Sequence, residues 1–534
     1  MRDYRTSESR GRVIVGIGGL LSDPACCVLV DGQVASAVEQ SKVSRQSRPG
    51  DFPEEAFRLA LSSAAVRPEE IHAVAVARPF SESSESRSHL ELRSRFPESE
   101  IVVVEHHHAH AASAYYACGV HAASVLSIDR AGDYRSAVLF EAQGHRLRPV
   151  RELYYPDSLG DLFNRVTALL GYEPRADEHK VQWLSASGTP RYAGVFERLI
   201  NSDAAGWPRF DRSFFDADRL THGGFSARFF GECGFDGQTP LSAETKADLA
   251  ASLQQAIHTA VAAMVGDAKN VCVAGGLALN ALLIRSLEEK FERVFVQPVA
   301  GNAGTCLGAA FYVWYNHFAR QDRSSFPTLC LGMQYAPEEI KRVLENCKLR
   351  FRYLPTEGDL VKQAVAALDD QKIIAWMQGR MEFGPRALGN RSILASPLNP
   401  YSTENLNVYI KHRENTRKFA ASVPAELAGE YFECSPNADF LATVSRVKPP
   451  YGERFAAAIL GNDLIRVHTV RKETNPLYHR LLIAAGEQTG LPILYNTSFN
   501  LFGDPMVATP RDAVRSFYSS GIDALFVGSF YLEK

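Results

Sequence analysis

A strand–turn–strand pattern occurs twice in the first third of the chain, and this repeat constrains the fold more than any other feature. Residues 13–33 read VIVGIGGLLSDPACCVLVDGQ, and residues 124–144 read SVLSIDRAGDYRSAVLFEAQG. Each unit consists of an apolar strand, a turn with glycine and a second strand, which indicates a duplicated lobe. Helical patterns lie between the two units, and residues 245–266 are predicted to form a further amphipathic helix. The sequence therefore predicts an α/β fold.

The length of the chain calls for more than one domain. A chain of 534 residues exceeds what one hydrophobic core normally supports. The polar segment 319–329, ARQDRSSFPTL, contains a proline and is the best candidate for a linker. We therefore expect two domains, residues 1–328 and residues 329–534.

Composition and charge argue against several classes of protein. The net charge is -3 and no basic stretch stands out, so nucleic acid is not the expected partner. No apolar run approaches the roughly 20 residues that a membrane-spanning helix needs. The polar N-terminus lacks the apolar core of a signal peptide. The nine cysteines are scattered without a CxxC pair, which predicts reduced thiols in a cytoplasmic protein.

One motif predicts a metal site. The alanine-rich segment 105–117, EHHHAHAASAYYA, favours a helix. His106 and His110 are four residues apart and share one helix face, so they can bind one metal ion. Asp129, at the end of a strand in the second repeat, could add an oxygen ligand. The alternative is a polar helix end with solvated histidines.

Glycine turns after strands are candidates for nucleotide binding. They lie at Gly16–Gly19, Gly132, Gly275–Gly276 and Gly301–Gly304. Glycine lets backbone amides come close to phosphates, and helix N-termini favour anions. A single turn of this kind is usually only a turn. Several of them on a duplicated lobe favour nucleotide binding in an actin-like fold.

A group of basic residues in the second half is a candidate anion site. It contains Arg380, Arg386, Arg391, Lys411, Arg413 and Arg417, with Arg466 and Arg471 further along. Guanidinium groups match the oxygens of phosphate and carboxylate. The alternative is structural ion pairing with Glu382 and Glu414, which we expect for some of these arginines. Residues 496–498, Asn-Thr-Ser, follow an apolar strand and can contribute amide and hydroxyl groups.

These residues together resemble the nodulation-type ATP-dependent O-carbamoyltransferases, a family that includes antibiotic-tailoring enzymes. The matching motifs are HHHAHAASAYY, AGGLALN, NAGTCLGAA, GRMEFGPRALGNRSIL, IKHRE and ILYNTSFNLFGDPMV, and they span nearly the whole chain. The resemblance implies an actin-like (ASKHA) N-terminal transfer domain similar to that of the tRNA threonylcarbamoyl transferases. It also implies a YrdC-like α/β C-terminal domain in which carbamoyl phosphate and ATP form carbamoyl-adenylate and pyrophosphate.

The resemblance also implies site residues, cofactors and partners. The catalytic residues would be Lys411, Arg386 and Arg417. Carbamoyl phosphate and ATP would bind Arg386, Arg391, Lys411, Arg417, Arg466, Asn496 and Ser498. The transfer-site nucleotide would meet Asp23, Asp133, Glu178, Lys180, Gly275, Gly276 and Asn280. A metal, iron or another divalent ion, would bind His106, His110, Asp129 and Asn302. The cofactor would be ATP with Mg²⁺, and the acceptor a small molecule of secondary metabolism, as in antibiotic biosynthesis.

Several positions depart from the family pattern. Ser22 replaces the usual His, Arg130 and Trp183 each replace Gly, and Asn302 replaces Asp. In the second half, residues 462–465 and Lys418 also differ from the usual motif. We expect weaker metal binding, or a site in which Arg130 partly replaces the charge of the metal, because an amide is a poorer ligand than a carboxylate. We also expect Trp183 to narrow the nucleotide or acceptor pocket.

Other functions stay open at this point. The same activation could serve an amine acceptor or another acyl group, because acceptor contacts lie on variable loops. A diverged carbamoyl-nucleotide binding protein is a further alternative. The basic group and NTSFN argue against an actin-like kinase, and the acidic balance argues against tRNA modification. The sequence fixes neither the acceptor nor the oligomeric state, for which a homodimer is one alternative.

Overall fold

The first half of the chain forms two five-stranded sheets. The computed structural model describes residues 11–534 except 46–49, 79–89, 217, 219–222, 238, 322, 324–325, 414–416 and 502. The first sheet contains β1 (Val13–Gly18), β2 (Ala25–Val30), β3 (Gln33–Glu39), β4 (Ile71–Ala77) and β5 (Glu100–Val104). The second contains β6 (Ala122–Gly132), β7 (Arg135–Gln143), β8 (Arg146–Tyr154), β9 (Asn270–Ala274) and β10 (Arg293–Val296).

The two sheets have the same topology. Their strand orders are β3-β2-β1-β4-β5 and β10-β9-β6-β7-β8. In each sheet the first three strands in sequence form an antiparallel meander. The fourth strand pairs in parallel with the first, and the fifth pairs in parallel with the fourth. The predicted duplication and the actin-like α/β class of this half are therefore confirmed.

Equivalent helices of the two lobes meet at a close crossing. The helix His106–Tyr115 follows β5, and the helix Thr305–Tyr312 follows β10. A Cβ atom built on Gly308 would lie 1.7 Å from the carbonyl oxygen of Ala109. Only glycine permits this approach of two backbones, and the contact places the ends of both helices on one side of the sheets.

Further helices surround the two sheets. The predicted helix at residues 245–266 is confirmed as Ala243–Val265, and its Ser242 side chain accepts the N–H of Thr245 as a cap. The other helices of this half are Gln40–Ser44, Glu54–Ser63, Leu159–Leu169, Glu178–Ser185, Ala193–Leu199, Ala227–Cys233 and Ala281–Lys290. Of the helices that the structure describes, none combines the length and the apolar character needed to cross a bilayer.

The second half is a mixed α/β unit built on an eight-stranded sheet. Its strand order is β11-β21-β20-β12-β13-β19-β14-β18, and a three-stranded sheet β15-β16-β17 lies beside it. The strands are β11 (Arg352–Tyr353), β12 (Ile374–Met377), β13 (Arg391–Ala395), β14 (Ala420–Pro424), β15 (Phe432–Glu433), β16 (Ser445–Val447), β17 (Leu464–Ile465), β18 (Val467–Val470), β19 (Leu494–Ser498), β20 (Ala524–Val527) and β21 (Phe530–Glu533). The helices are Pro337–Asn346, Glu357–Asp369, Ser402–Asn405, Ala428–Tyr431, Pro476–Thr489 and Pro510–Tyr518.

The two halves pack against each other through apolar side chains. Leu329, Phe383, Leu388 and Leu441 belong to the same buried cluster as the helices that meet at Gly308. Apolar burial of this kind stabilises the contact by about 25 cal/mol per Å². The last residue of the predicted linker, Leu329, is therefore packed between the halves. The domain boundary at residue 328 stays a prediction.

Candidate active site

Two histidines and an aspartate form a compact group between the lobes. The Nε2 atom of His106 lies 3.0 Å from Oδ2 of Asp129, and Nε2 of His110 lies 3.5 Å from the same oxygen. One ligand atom from each residue lies within 4.8 Å of the other two. Asp129 is on β6, beside an irregularity in its pairing with β7 between Ile128 and Gly132. The structure therefore brings together the three residues that the sequence predicted as metal ligands.

The helix that carries both histidines is fixed at its first turn. The Glu105 carboxylate accepts the backbone N–H groups of His107 and His108 at 3.3 and 3.2 Å, and Asp133 accepts that of His106 at 3.3 Å. Carboxylates at this end of a helix satisfy free N–H groups and match the helix dipole. Asp133, predicted to meet the nucleotide, instead lies at this helix start and is not part of the cleft described below.

The other two histidines of the motif point away from the group. His107 is buried and contacts Ser127 Oγ at 2.8 Å and the carbonyl oxygen of Arg135 at 3.1 Å. Burial first, and then the neighbouring histidines, lower the pKa of His107 to about 3. His108 contacts the carboxylate of Glu105 at 2.5 Å. Of the four histidines of the motif, His106 and His110 are therefore the two that contact Asp129.

Asp129 is held as a carboxylate. Burial raises its pKa, but the contacts with His106 and His110 outweigh burial and bring the pKa well below the ordinary value. Its other oxygen accepts the backbone N–H of Arg130 at 2.8 Å. An anionic oxygen ligand is thus ready at the centre of the group.

Asn302 completes one side of the group. Its Nδ2 donates to Ser22 Oγ at 2.8 Å, while its Oδ1 is buried with no hydrogen-bond partner among the described residues. The ring nitrogens of His110 likewise have no hydrogen-bond partner there. Buried polar atoms of this kind are uncommon and call for a ligand. The residues therefore fit a divalent metal bound by His106, His110, Asp129 and the Asn302 carbonyl.

The structure does not support the expectation that the charge of Arg130 replaces that of a metal. The Arg130 guanidinium lies 3.9 Å from Asp161, and only the backbone N–H of Arg130 contacts Asp129. The side chain is partly exposed and lines the cleft beside the metal group. Its positive charge therefore faces the cleft and Asp161.

A cleft of about 710 Å³ opens over the metal group and reaches the second half of the chain. The first half contributes Ser22, Asp23, His106, Asp129, Arg130, Glu178, His179, Gln182, Gly276, Asn280 and Asn302 to its walls, and the second half contributes Pro385, Arg386 and Arg417. Residues predicted for metal, nucleotide and phosphate binding thus face one space.

Two glycines keep the floor of the cleft open. A Cβ atom on Gly132 would lie 2.0 Å from the His106 ring, and one on Gly276 would lie 3.0 Å from Oδ1 of Asp129. Gly275 has φ +96°, and its Cβ would lie 2.1 Å from the Ile128 carbonyl. These positions require glycine because the backbone passes directly beside the metal group. Gly275 itself does not line the cleft.

One wall of the cleft is the helix Glu178–Ser185. Glu178, His179 and Gln182 line the cleft, but Lys180 does not and instead donates to Asp177 at 2.9 Å. Burial first, and then the charge of Arg417, lower the pKa of His179 to about 4. A neutral imidazole therefore lies between the two halves at ordinary pH.

Trp183 on the same helix does not narrow the cleft, contrary to expectation. Its ring packs against an apolar cluster of Ala281, Leu282 and Val444, the last from the second half, and the Arg466 guanidinium lies 5.5 Å from the ring centroid. Such a contact is a cation–π interaction. The substitution of glycine by tryptophan thus adds a contact between the halves, away from the cleft.

Lys411 is buried in the second half with its amine fully hydrogen-bonded. Its Nζ donates to the Ser498 carbonyl at 2.5 Å and to the Asn500 backbone and side-chain oxygens at 2.8 and 2.7 Å. Burial, followed by the charges of Arg413 and Arg417, lowers the pKa of Lys411 well below its ordinary value. Burial of this charge costs free energy, and a bound anion would offset that cost.

The arginines around Lys411 repel one another. Burial and Arg417 lower the pKa of Arg386 to about 10 and that of Arg413 to about 9. Burial lowers the pKa of Arg466 well below its ordinary value, with further contributions from Arg386, Arg417 and Arg413. The Nε of Arg466 has no hydrogen-bond partner among the described residues. Arginines placed this close to one another form a site for a multiply charged anion.

Arg391 lies outside this group. It is buried, and its guanidinium donates to the carbonyl oxygens of Gln378, Gly379 and Asn390 at 2.6, 3.3 and 3.0 Å and to that of Met333 at 3.3 Å. Three of these bonds tie β13 to the loop that precedes it, and the fourth ties β13 to the segment at Met333. The structure therefore gives Arg391 a structural position and not one beside the phosphate-binding residues.

One arginine of the basic group forms an ion pair, but its partner is neither Glu382 nor Glu414, the expected partners. Arg471 pairs with Asp439 at 2.6 Å. Glu382, however, accepts the backbone N–H groups of Leu388, Asn390 and Arg391 at 2.8–3.1 Å. Glu382 thus shapes the loop before β13 in place of the expected pairing with arginine. Glu414 lies outside the described residues.

Asn496 and Ser498 lie on β19 beside the cation group. Asn496 donates to Ala387 O at 3.1 Å and to Ser422 Oγ at 3.2 Å, and its Oδ1 is buried without a hydrogen-bond partner in the described part of the chain. Ser498 donates to Asn500 Oδ1 at 2.6 Å. Asn500 was not predicted from the sequence, although it follows these two residues in the NTSFN segment.

Comparison with known proteins agrees with this geometry. Residues 82–311 match the carbamoyltransferase N-terminus family, and residues 365–534 match the carbamoyltransferase C-terminus family. An uncharacterized protein of Synechocystis sp. is 30% identical, with 98% of this chain and 96% of that protein covered. The nodulation protein NolNO of Sinorhizobium fredii is 31% identical, with coverage of 96% and 79%. A 3'-hydroxymethylcephem-O-carbamoyltransferase of Amycolatopsis lactamdurans is 32% identical over 46% of this chain and 44% of that enzyme.

Proposed function

The chain belongs to the carbamoyltransferase family and is a transferase enzyme, and from this premise we propose that it makes carbamoyl-adenylate and transfers the carbamoyl group to a hydroxyl. The proposed substrates are carbamoyl phosphate, ATP with Mg²⁺ and a small-molecule acceptor. The observation that carries the proposal is the single cleft that has Asp129 at one end and Arg386 and Arg417 at the other.

The basic group fits the activation step. Release of carbamate and phosphate from carbamoyl phosphate consumes one water. A carbamate oxygen then attacks the α-phosphorus of ATP, and the bond to pyrophosphate breaks with its electron pair on the leaving group. Negative charge grows on the phosphates in this step. Lys411, Arg386, Arg417 and Arg466 supply fixed positive charge where that growth occurs.

The metal group fits the transfer step. The acceptor hydroxyl oxygen attacks the carbamoyl carbon, AMP leaves with the electrons of the broken C–O bond, and the hydroxyl proton is released. A divalent metal held by His106, His110, Asp129 and Asn302 would act as a Lewis acid toward the carbamoyl oxygen. Asn280, which lines the cleft, is itself held by Gln254 at 2.8 Å and fixes the turn after Gly276.

A hydroxyl acceptor is favoured over an amine by one relative. The cephem enzyme of Amycolatopsis lactamdurans is an O-carbamoyltransferase by name. That likeness covers 46% of this chain, so the acceptor is proposed by class only: a small molecule with a free hydroxyl. The acceptor would enter the open part of the cleft between Arg130 and the helix Glu178–Ser185.

The experiment that tests the proposal is a pyrophosphate-release assay with purified full-length enzyme. ATP and Mg²⁺ are supplied with and without carbamoyl phosphate, and carbamoyl-adenylate is followed by mass spectrometry. Release that depends on carbamoyl phosphate is the expected result. Pyrophosphate release that ignores carbamoyl phosphate, or no release while ATP binds, would overturn the proposal and favour another acyl donor or a nucleotide-binding role.

Two lysine variants make the assay specific. Lys411→Met removes the buried cation, and we expect release to fall by about a hundredfold or more, as for loss of other fixed charges in active sites. Lys341→Met removes an exposed lysine that lies 3.6 Å from Glu345 on a surface helix. This control should release pyrophosphate at the rate of the unmodified enzyme.

A further inference from the structure

A short segment of the first half contacts the loops that carry the cations of the second half. This connector segment, residues 39–45, leaves β3 and forms the helix Gln40–Ser44. Three of its side chains, at spacings of three residues, reach into the second half: Glu39, Lys42 and Arg45. None of them belongs to the metal group or the cleft wall described above.

Lys42 binds the loop that leads to Arg386. Its Nζ donates to the Glu382 carbonyl at 3.1 Å and to the Gly384 carbonyl at 2.5 Å. The carboxylate of Glu39 pairs with Lys42 and accepts the N–H of Gly384 at 2.9 Å. The side chains of Lys42 and Glu39 are only 9% and 13% exposed. A buried ion pair that also satisfies backbone groups fixes the geometry of the loop, because a buried hydrogen-bonding group left without a partner destabilises the fold.

The same loop is confined from its other side. Gly384 has φ +103°, and a Cβ atom there would lie 2.7 Å from Cγ2 of Val299 in the first half. Arg386 follows two residues later and lines the cleft. The loop that presents Arg386 is therefore held between Val299 and Lys42, both of which belong to the first half.

Arg45 contacts the second cation loop. Its guanidinium lies 3.3 Å from Asp504 and 3.1 Å from Asp512. The Asp504 carbonyl accepts the side-chain N–H of Asn500 at 2.7 Å, and both oxygens of Asn500 accept from Lys411. A continuous path of polar contacts thus runs from Arg45 to Lys411.

We propose that Glu39, Lys42 and Arg45 are positioning residues that hold Arg386 and Lys411 in place for the anion, so that activation by the second half depends on the first. This inference rests on the proposed function for the identity of the anion. The contacts also imply that the two half-reactions are not independent modules. Apolar packing between the halves also reaches the Arg386 loop, through Phe383 and Leu388, but the backbone groups of residues 382 and 384 are bound by the polar contacts of Lys42 and Glu39.

The test measures binding of inorganic pyrophosphate to full-length variants by isothermal titration calorimetry. For Lys42→Met we expect the dissociation constant to rise by about tenfold or more, since the freed carbonyls of residues 382 and 384 relax the loop. Lys42→Arg retains a donor cation and should restore most of the affinity. Carbamoyl phosphate should show the same loss as a higher KM in the pyrophosphate-release assay.

Glu288→Gln is the matched control. Glu288 also joins the halves, because it accepts from Asn437 and Thr443 at 2.7 Å, but it touches neither cation loop. Its pyrophosphate affinity should stay within about twofold of the unmodified protein, even where both variants lower the melting temperature equally. Equal loss of affinity in both variants would show that general contact between the halves, and not positioning, is responsible.

The remaining outcomes are also decisive. Where Lys42→Met does not fold, Arg45→Gln, at the rim of the contact, replaces it, and a rise of about threefold is expected. Unchanged affinity in the variant that folds would overturn the inference. An unmodified enzyme that binds pyrophosphate but releases none from ATP and carbamoyl phosphate would refute the proposed function alone. One that does not bind pyrophosphate would refute the inference itself.

Discussion

Asn302 donates its side-chain N–H to the hydroxyl oxygen of Ser22 at 2.8 Å, across 280 residues of sequence. This bond sets the orientation of the amide: the nitrogen faces Ser22, and the carbonyl oxygen faces the buried side. Asn302 adjoins His110, since it raises the pKa of that histidine against the larger lowering by burial. The two positions that depart from the usual His and Asp thus depart as a contacting pair.

Replacing Asn302 by aspartate should tighten divalent-metal binding. A carboxylate is a stronger ligand than an amide oxygen for a hard cation, so we expect the dissociation constant to fall by about tenfold or more. Titration of the metal-free protein with Fe²⁺ or Mn²⁺ measures this directly. Asn201→Asp adds the same charge at an exposed site and should leave the affinity unchanged. Weaker binding by Asn302→Asp would contradict a ligand role for residue 302.

Replacing Gly132 by alanine should displace a metal ligand while the fold persists. The new methyl group would lie 2.0 Å from the His106 ring, so the ring must move. We expect metal content, measured by elemental analysis, to fall by about tenfold or more. Gly231→Ala, where the added carbon meets open space, should retain the metal. Full metal content in Gly132→Ala would show that His106 is not a ligand.

Binding of pyrophosphate should raise the proton occupancy of Lys411 at a pH between its lowered pKa and its ordinary pKa. The pKa of Lys411 is held well below its ordinary value by burial and by Arg413 and Arg417, and a bound anion raises it again. Titration in buffers of different ionisation enthalpy counts the protons. In Lys411→Met this contribution should disappear, while the protons of pyrophosphate itself are counted in both proteins. An equal proton count in the two proteins would contradict the lowered pKa.

The lowered pKa of Lys411 also determines how the stability of the fold changes with pH. Because the folded pKa of Lys411 is below its unfolded value, the unfolded chain binds more protons between these two values, and stability rises with pH in that window. A bound pyrophosphate raises the pKa of Lys411 and so removes the loss of stability at the lower pH. We therefore expect it to raise the melting temperature more at pH 7 than at pH 9.5, beyond the effect of NaCl at equal ionic strength.

Replacing Trp183 by glycine should weaken the contact between the halves and leave the acceptor site intact. The ring contacts the Arg466 guanidinium and an apolar cluster that includes Val444, and it does not line the cleft. We expect a loss of about 1–3 kcal/mol in the free energy of unfolding, measured by urea denaturation. Trp183→Phe should recover part of it. A changed KM for the acceptor with unchanged stability would restore the view that Trp183 shapes the cleft.

Local patterns in the sequence predicted much of the fold and the metal group. His106 and His110 share a face at a spacing of four residues, and Asp129 ends a strand of a recognisable repeat, so short-range rules suffice for them. The long helix was placed within two residues at its start and one at its end, as Ala243–Val265. The two sheets followed from the repeat at residues 13–33 and 124–144.

Contacts between distant segments could not be predicted in this way. Lys42 lies 340 residues from Glu382, and no spacing rule connects them. Trp183 was assigned to the cleft because it replaces a glycine in a motif expected near the nucleotide, but side chains on one helix face different surfaces. Arg391 was grouped with the phosphate-binding arginines because of its motif. It lies on a fully buried strand, where the N–H groups of a guanidinium must donate to carbonyl oxygens.

The contacts of residues 39–45 have a consequence for engineered hybrids of this family. An exchange of residues 329–534 for the same region of a relative would bring in every side chain of the relative's cation loops. It would not bring in the relative's own residues 39–45, which contact those loops. Glu39 and Lys42 would then face a foreign backbone at residues 382 and 384, and Arg45 a foreign side chain at residue 504. A recombinant that inherits the connector segment together with its second half would preserve the match, so the crossover unit is discontinuous in sequence.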